Sequence, residues 1–241
     1  MLCSALYRCS TIGRSNVCTS RFLSRAISSN MFDNLMLRQL FDNESSTYSY
    51  LLVDKPSREA ILIDPVIEKS ERDAKLVEEL DLKLKKAEAQ ADLLLGHGEK
   101  LKFGEQELEI AETPGHTAGC VTYIHHGAGC AFTGDALLIR GCGRTDFQGG
   151  SAETLYSSVW NNILSLPDSY NLYPAHDYKG QTVTTVGEEK KFNPRLTKTV
   201  DEFVKIMGDL NLPYPKKIDE SLPANLVCGL HNLPERMNGW V

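Results

Sequence analysis

Three stretches of the chain place imidazole and carboxylate side chains where they could hold a metal ion. His116 lies in TPGHTAGC at 113 to 120, Asp135 lies in FTGDAL, and His176 is followed by Asp177 in YPAHDY. Each follows or separates β-type stretches, and loops at strand ends are where a rigid sheet presents metal ligands. Any one of these residues alone is equally consistent with a hydrogen-bonded structural role. Together they predict a metal site at the edge of a sheet.

The other histidines carry less chemical information. His97 lies between two glycines in LGHGEK, which predicts a turn residue, with metal ligation as the alternative. His125 and His126 lie in a predicted hairpin turn, which favours solvent exposure, and His231 lies in the tail.

The first thirty residues differ in composition from the rest. They contain four arginines, seven serines and no acidic residue. This composition is typical of an organellar transit peptide, so we expect residues 1–30 to be a mitochondrial presequence. A disordered basic tail is the alternative.

The remaining chain excludes several classes of protein. It carries 22 basic and 32 acidic side chains, a charge of about −10, which argues against a nucleic-acid or acidic-lipid partner. No apolar run approaches the ~20 residues that cross a bilayer. The four cysteines outside the leader have no CxxC spacing, which favours buried, inert thiols in a reducing compartment. They are Cys120, Cys130, Cys142 and Cys228.

Turn residues and apolar periodicity predict the elements that position the candidate ligands. Alternating stretches separated by turns predict three hairpins, with strands in YSYLLVD and EAILIDP, in KLKFGEQELEIAE, and in VTYIHHGAGCAFTGD. A 3.6-residue stripe predicts a helix from Ser70 to about Asp81, and Ser151 caps a second helix. Asn193-Pro194 predicts the start of a third helix, whose core stripe is Leu196, Val200, Phe203 and Met207. Hairpins followed by amphipathic helices predict an α/β layered fold.

Four motifs, in this order, resemble the metallo-β-lactamase superfamily and, within it, the mitochondrial persulfide dioxygenase family. They are LIDP at 62 to 65, TPGHTAGC at 113 to 120, FTGDALLIRGCGRTDF at 132 to 147 and YPAHDY at 173 to 178. RGCGRTDF is the most discriminating, and the resemblance extends over roughly 31 to 226. It implies that residues 31–241 form one metallo-β-lactamase-like domain, an αββα sandwich with the metal at the sheet edge.

The resemblance also assigns residues to the site. It implies one Fe(II) held by two histidines and one aspartate, with His116 as the second histidine and Asp135 as the carboxylate. His176 matches the position of a second metal in hydrolytic members, and Asp64 and Asp177 resemble residues that orient ligands. It implies that Arg144 and Arg195 lie near the glutathione portion of the substrate. It also implies that Cys142 lies beside that pocket, where a packed thiol is favoured over a thiol that exchanges with a persulfide.

The first histidine ligand implied by the resemblance has no counterpart. It belongs to a THxHxDH loop after the strand that begins at Leu82, where this chain passes from LKLK directly to KAEAQAD. The loop, the helix after it and the next strand are therefore predicted to be deleted together, after residue 84. His97 or His176 is a candidate substitute ligand.

The family reaction implied is oxidation of glutathione persulfide by O2 to sulfite and glutathione, in mitochondrial sulfide catabolism in the matrix. Because one of three ligands is absent, we expect this chain to bind iron weakly and to be impaired. The alternatives are a glyoxalase II-type hydroxyacylglutathione hydrolase, which needs two metals, and a non-catalytic glutathione-binding isoform. A homodimer is a further expectation.

Overall fold

The computed structural model describes residues 34–84, 95–147, 149–214 and 218–219. The predicted presequence at 1–30 lies outside these ranges, as do Cys228 and His231 of the tail. The described residues contain no helix long and apolar enough to span a membrane.

The first sheet has four strands in the order in which they occur along the chain. Neighbouring strands are antiparallel except for β3 and β4, which are parallel. The strands are β1 Leu35–Asp42, β2 Thr47–Asp54, β3 Glu59–Ile63 and β4 Lys83–Leu84.

The second sheet has six strands in the order β10-β9-β8-β7-β6-β5, and only β8 and β9 are parallel. Gly104 in the β5-β6 turn has a φ of +57°, a conformation that an L side chain resists. The strands are β5 Lys100–Phe103, β6 Gln106–Glu112, β7 Val121–His125, β8 Cys130–Gly134, β9 Asn171–Pro174 and β10 Thr184–Thr185.

Helices cover the outer faces of both sheets. One apolar cluster lies between the sheets, around Tyr50, Phe103 and Phe132, and a second lies between the six-stranded sheet and the helices after it. A third, smaller cluster joins the first sheet to its helix through Leu76 and Val77. The result is the predicted αββα sandwich. The helices are α1 Ser70–Glu79, α2 Ala152–Ser158, α3 Val186–Phe192 and α4 Val200–Gly208, and a π-helical turn, Val159–Ile163, extends α2.

Strand direction brings the candidate ligands to one edge. Strands β6, β8 and β9 run in the same direction, because β7 is antiparallel to both β6 and β8 and β9 is parallel to β8. The loops that carry His116, Asp135 and His176 follow the ends of these three strands. The three hairpins, the helix start at Ser70 and the cap at Ser151 were predicted correctly in place, although α1 continues from a 3-10 turn, Ile67–Lys69.

The predicted start of the last helix was wrong. Asn193 does accept hydrogen bonds from the backbone N–H groups of Arg195 and Leu196, as a helix cap would. Its amide also donates to Glu189 Oε2 and Gly141 O, and the chain forms only turns before Thr199. The helix begins at Val200, where Thr199 and Glu202 form a capping box, and Val200 is exposed rather than part of the core.

The predicted exposure of His125 was also wrong. The side chain is buried, and Nε2 lies 3.1 Å from Gln106 Oε1 while Nδ1 accepts from the Ala128 N–H. Since Nδ1 accepts, the neutral imidazole carries its proton on Nε2 and donates to Gln106, whose amide in turn donates to Asp54 Oδ1. The residue therefore links the two sheets and is not a surface group.

Acid should destabilise the fold through His125. Burial lowers the pKa of this imidazole below its usual value. The unfolded chain therefore takes up a proton below about pH 6.5 while the folded chain resists it, so the free energy of unfolding falls as the pH drops through this range. Denaturant unfolding at several pH values should show a shallower acid loss for His125→Gln than for the parent. His126→Gln is the control because it removes the exposed neighbouring imidazole and leaves the buried one, and a change in the acid loss as large as that of His125→Gln would contradict the role of burial.

Candidate metal centre

His116 is oriented as a metal ligand. Its Nδ1 lies 2.6 Å from Arg144 O, and because a carbonyl oxygen only accepts, Nδ1 carries the proton. In the neutral imidazole, Nε2 then carries the lone pair. This atom is buried without a hydrogen-bond partner, and it lies 3.5 Å from Asp135 Oδ2. An unsatisfied acceptor this deep in a fold is costly unless an additional ligand completes it.

Asp135 shares its carboxylate between two imidazoles. Oδ2 faces His116, and Oδ1 accepts from His176 Nδ1 at 2.6 Å. Burial alone would raise the pKa of this carboxyl, but the charge and hydrogen bond of His176, with a contribution from His116, lower it to about 2. The group is therefore an anion, which is the form that binds a cation.

His176 is tied down at both nitrogens. Nδ1 bonds Asp135, and Nε2 lies 3.1 Å from Thr47 Oγ1 in the first sheet. Burial opposes protonation, but Asp135 and, more weakly, Asp64 raise the pKa of this imidazole. In this orientation His176 supports Asp135, and both of its nitrogens already have hydrogen-bond partners.

Asp64 and Asp177 are the other two acids predicted near the site. Asp64 is buried at the end of β3 with a φ of +51°, a conformation unusual for a residue with a Cβ, and Ser49 Oγ donates to its carbonyl. Asp177 Oδ2 accepts from the N–H groups of Lys179 and Gln181 and so shapes the loop after His176.

The predicted substrate arginines make contacts within the protein. Arg144 forms a bidentate pair with Asp146, with two bonds of 2.6 Å, and donates to Pro213 O at 2.9 Å. Arg195 lies 3.3 Å from Cys142 O and 3.8 Å from its sulfur. Burial raises the pKa of the Cys142 thiol despite this guanidinium, as expected of a packed thiol. Substrate binding by the two arginines remains a prediction.

His97 lies in a turn, as predicted, and is exposed. Its Nδ1 accepts from the Glu112 N–H, and it lines a shallow cleft of about 540 Å³ between β6 and α2. That cleft is lined by neither His116 nor Asp135.

The donor set fits a metal only in part. His116 Nε2 and Asp135 Oδ2 converge as two neighbouring ligands, and the buried, unbonded Nε2 is the observation that favours an ion. Within the ranges that the structure describes, no group of three or more His, Cys, Asp or Glu side chains is arranged to hold a metal. The metal site therefore remains a prediction, for which the described residues supply two candidate ligands.

Gly143 also shapes this site, although it was not among the predicted site residues. Its N–H donates to Asp135 O at 2.7 Å, and a Cβ on Gly143 would lie 2.5 Å from that oxygen and 2.8 Å from His116 Nδ1. Only a residue without a side chain can pass between the two ligands here. The spacing of the glycines in RGCGRTDF was the sequence pattern that could have indicated this close approach of the backbone.

The fold and the ligand loops define a member of the metallo-β-lactamase superfamily, whose family model matches residues 85–176. Membership implies a metal cofactor. The fold is shared with a metallo-β-lactamase from Staphylococcus aureus, at a TM-score of 0.68 and 20% identity, over 83% of this chain and 74% of that one.

More similar proteins narrow the assignment. Mouse mitochondrial persulfide dioxygenase ETHE1 is 48% identical over 231 residues, covering 83% of this chain and 91% of the relative. The human protein of the same name is 49% identical over 227 residues, covering 81% and 89%. The crystal structure of ETHE1 from Myxococcus xanthus has a TM-score of 0.77 and 43% identity, over 80% of this chain and 99% of that one. The chain belongs to the persulfide dioxygenase family.

Proposed function

We propose that this chain is a persulfide dioxygenase with an incomplete iron centre and impaired activity. The substrates are glutathione persulfide and O2. Both oxygen atoms go to the outer sulfur, and water then releases sulfite and glutathione. Ferrous iron, where bound, supplies the redox chemistry and brings sulfur and O2 together, whereas the protein supplies orientation.

One observation carries the proposal: His116 Nε2, buried and unbonded, faces Asp135 Oδ2 at 3.5 Å. One imidazole and one carboxylate are two of the three ligands of the facial arrangement used by non-haem iron oxygenases. Arg144 O keeps the proton of a neutral His116 on Nδ1, which leaves Nε2 as the atom available to the cation, and His176 helps to hold Asp135 as an anion.

Two observations support a missing third ligand. The alignment with the mouse relative extends over 231 positions, whereas 83% of the 241 residues is about 200, so about 30 positions have no residue in this chain. In addition, β4 has only two residues, and pairs with β3 only at Glu59 and Ala60. Both observations support loss of a strand-helix-strand segment after Leu84, where the first histidine loop would lie.

Iron content and oxygen uptake test the proposal. The purified chain should retain well below one iron per chain, measured by mass spectrometry, because losing a ligand weakens binding by more than the roughly 10 to 100-fold typical of an outer-shell partner. Oxygen uptake with glutathione persulfide should be correspondingly low. One iron per chain with rapid uptake would contradict the impairment. Uptake that stays absent even in excess Fe(II) would instead favour a non-catalytic glutathione-binding isoform.

The names of the mouse and human relatives and the arginine-rich leader support a mitochondrial location, for which we propose the matrix. The homodimer remains a prediction. The hydrolase alternative is not favoured, because it needs a second metal and the mouse and human relatives are named persulfide dioxygenases.

A further inference from the structure

The loop between β8 and α2 holds both candidate ligands through consecutive residues. The Gly143 N–H donates to Asp135 O at 2.7 Å, and the Arg144 carbonyl accepts from His116 Nδ1 at 2.6 Å. Displacement of this short segment would therefore change the main chain at Asp135 and the hydrogen bond that sets the His116 tautomer.

The Arg144 side chain anchors this segment. Its guanidinium bonds both oxygens of Asp146, donates to Pro213 O and lies 4.5 Å from the centre of the Phe147 ring. The side chain is only 9% exposed, although Asp146 is 49% exposed. A bidentate pair of this kind restricts both the distance and the plane of the guanidinium, so it limits movement of the attached backbone.

The anchor reaches the chain that follows α4. Pro213 supplies the carbonyl bonded by Arg144, and the next residue, Tyr214, packs edge-on against Phe147 at 5.5 Å between ring centres. The Tyr214 hydroxyl in turn donates to Asp219 Oδ1 at 2.7 Å. The loop that carries the carbonyl for His116 is thus held from outside by a segment nearly seventy residues further along the chain.

We propose that Arg144 is a positioning residue for His116. The guanidinium, bonded to Asp146 and Pro213, fixes the Arg144 carbonyl, and this carbonyl keeps the His116 proton on Nδ1 and the lone pair of Nε2 directed at Asp135. Partners that orient a ligating histidine in this way typically affect metal affinity by roughly 10 to 100-fold. This inference rests on the proposed metal site, but its first effect, on the tautomer of His116, can be observed in the metal-free protein.

The tautomer of His116 in the metal-free full chain tests the proposal. Long-range proton-nitrogen NMR spectra at about pH 8, where an unperturbed imidazole is neutral, distinguish the two forms. His116 is assigned by loss of its signals in His116→Gln. The parent should show the Nδ1–H form, and Arg144→Met should show a mixture. In the same samples, affinity for Co(II) should fall by roughly 10 to 100-fold.

Arg58→Met is the matched control, because Arg58 also pairs with an aspartate, Asp81, and donates to a backbone carbonyl, that of Leu80. It should leave the tautomer and the affinity unchanged. If Arg144→Met does not fold, Asp146→Asn replaces it. This variant should also give a mixture of His116 tautomers and a lower Co(II) affinity, with smaller changes in both. An unchanged His116 tautomer and Co(II) affinity in the folded variants would overturn the positioning role. Because the tautomer is read without iron or persulfide, this result is independent of whether the chain is a dioxygenase.

Discussion

If the proposed missing segment is taken from the mouse relative and inserted between Leu84 and Lys85, iron content should rise to about one ion per chain and oxygen uptake should increase. The segment is about 30 residues long. It would return the first histidine ligand to a site where His116 Nε2 and Asp135 Oδ2 already lie 3.5 Å apart. We expect the gain in iron affinity to exceed about 100-fold, because a third direct ligand contributes more than the outer-shell partners that account for roughly 10 to 100-fold.

The insertion also changes the sheet, so the effect of the added histidine must be separated from the effect of the added strand and helix. A parallel crossover requires a dozen or more residues, and β4 pairs with β3 over only two residues in this chain. The control is the same insertion with the histidines of its THxHxDH loop replaced by alanine, which should lengthen the sheet and raise thermal stability without restoring iron. If the two insertions bind iron equally well, the missing histidine is not the cause of the impairment. If neither raises iron content, the segment has been placed wrongly.

The sequence predicted the parts of the fold that depend on local pattern. Alternation of apolar residues and a glycine at the turn identified β5 and β6, and the 3.6-residue stripe identified α1, because these signals lie within one element. The strand β1 was missed because its residues, LMLRQLFD, do not alternate between apolar and polar side chains as the other predicted strands do. The start of α4 was misplaced because Asn193 makes the hydrogen bonds of a cap, and only its tertiary partners, Glu189 and Gly141, show that no helix follows it.

Prediction of the site failed wherever the partner of a side chain was distant in sequence. His116 and Asp135 were predicted as candidate ligands from residue type and position after a strand, and the structure brings them together. The hydrogen bond from His116 to the Arg144 carbonyl spans 28 residues, and no local sequence pattern indicates it. Similarly, the bond from Arg144 to Pro213 spans 69 residues, so a guanidinium expected to contact substrate could not be recognised as one that also binds the protein's own backbone.

The loop that carries His116 should depend strongly on Gly115. This residue has a φ of +130°, and an added Cβ would lie 2.3 Å from Leu155 N and 2.4 Å from Leu155 Cα. Its carbonyl also accepts from the Ser151 N–H at the start of α2. Gly115→Ala therefore combines an unfavourable backbone conformation with overlap against a helix backbone that has little freedom to move, and the expected loss in the free energy of unfolding is at least about 3 kcal/mol.

Gly98→Ala separates these two causes. Gly98 also has a positive φ, +78°, but no atom lies within 4 Å of the Cβ position. Its substitution should cost about 1 kcal/mol, the conformational cost alone. Denaturant unfolding of both variants measures the difference, which isolates the packing of the His116 loop on α2. Equal losses would show that the loop can move away from Leu155, and in that case the position of His116 is set by its bond to Arg144 O and not by the helix beneath it.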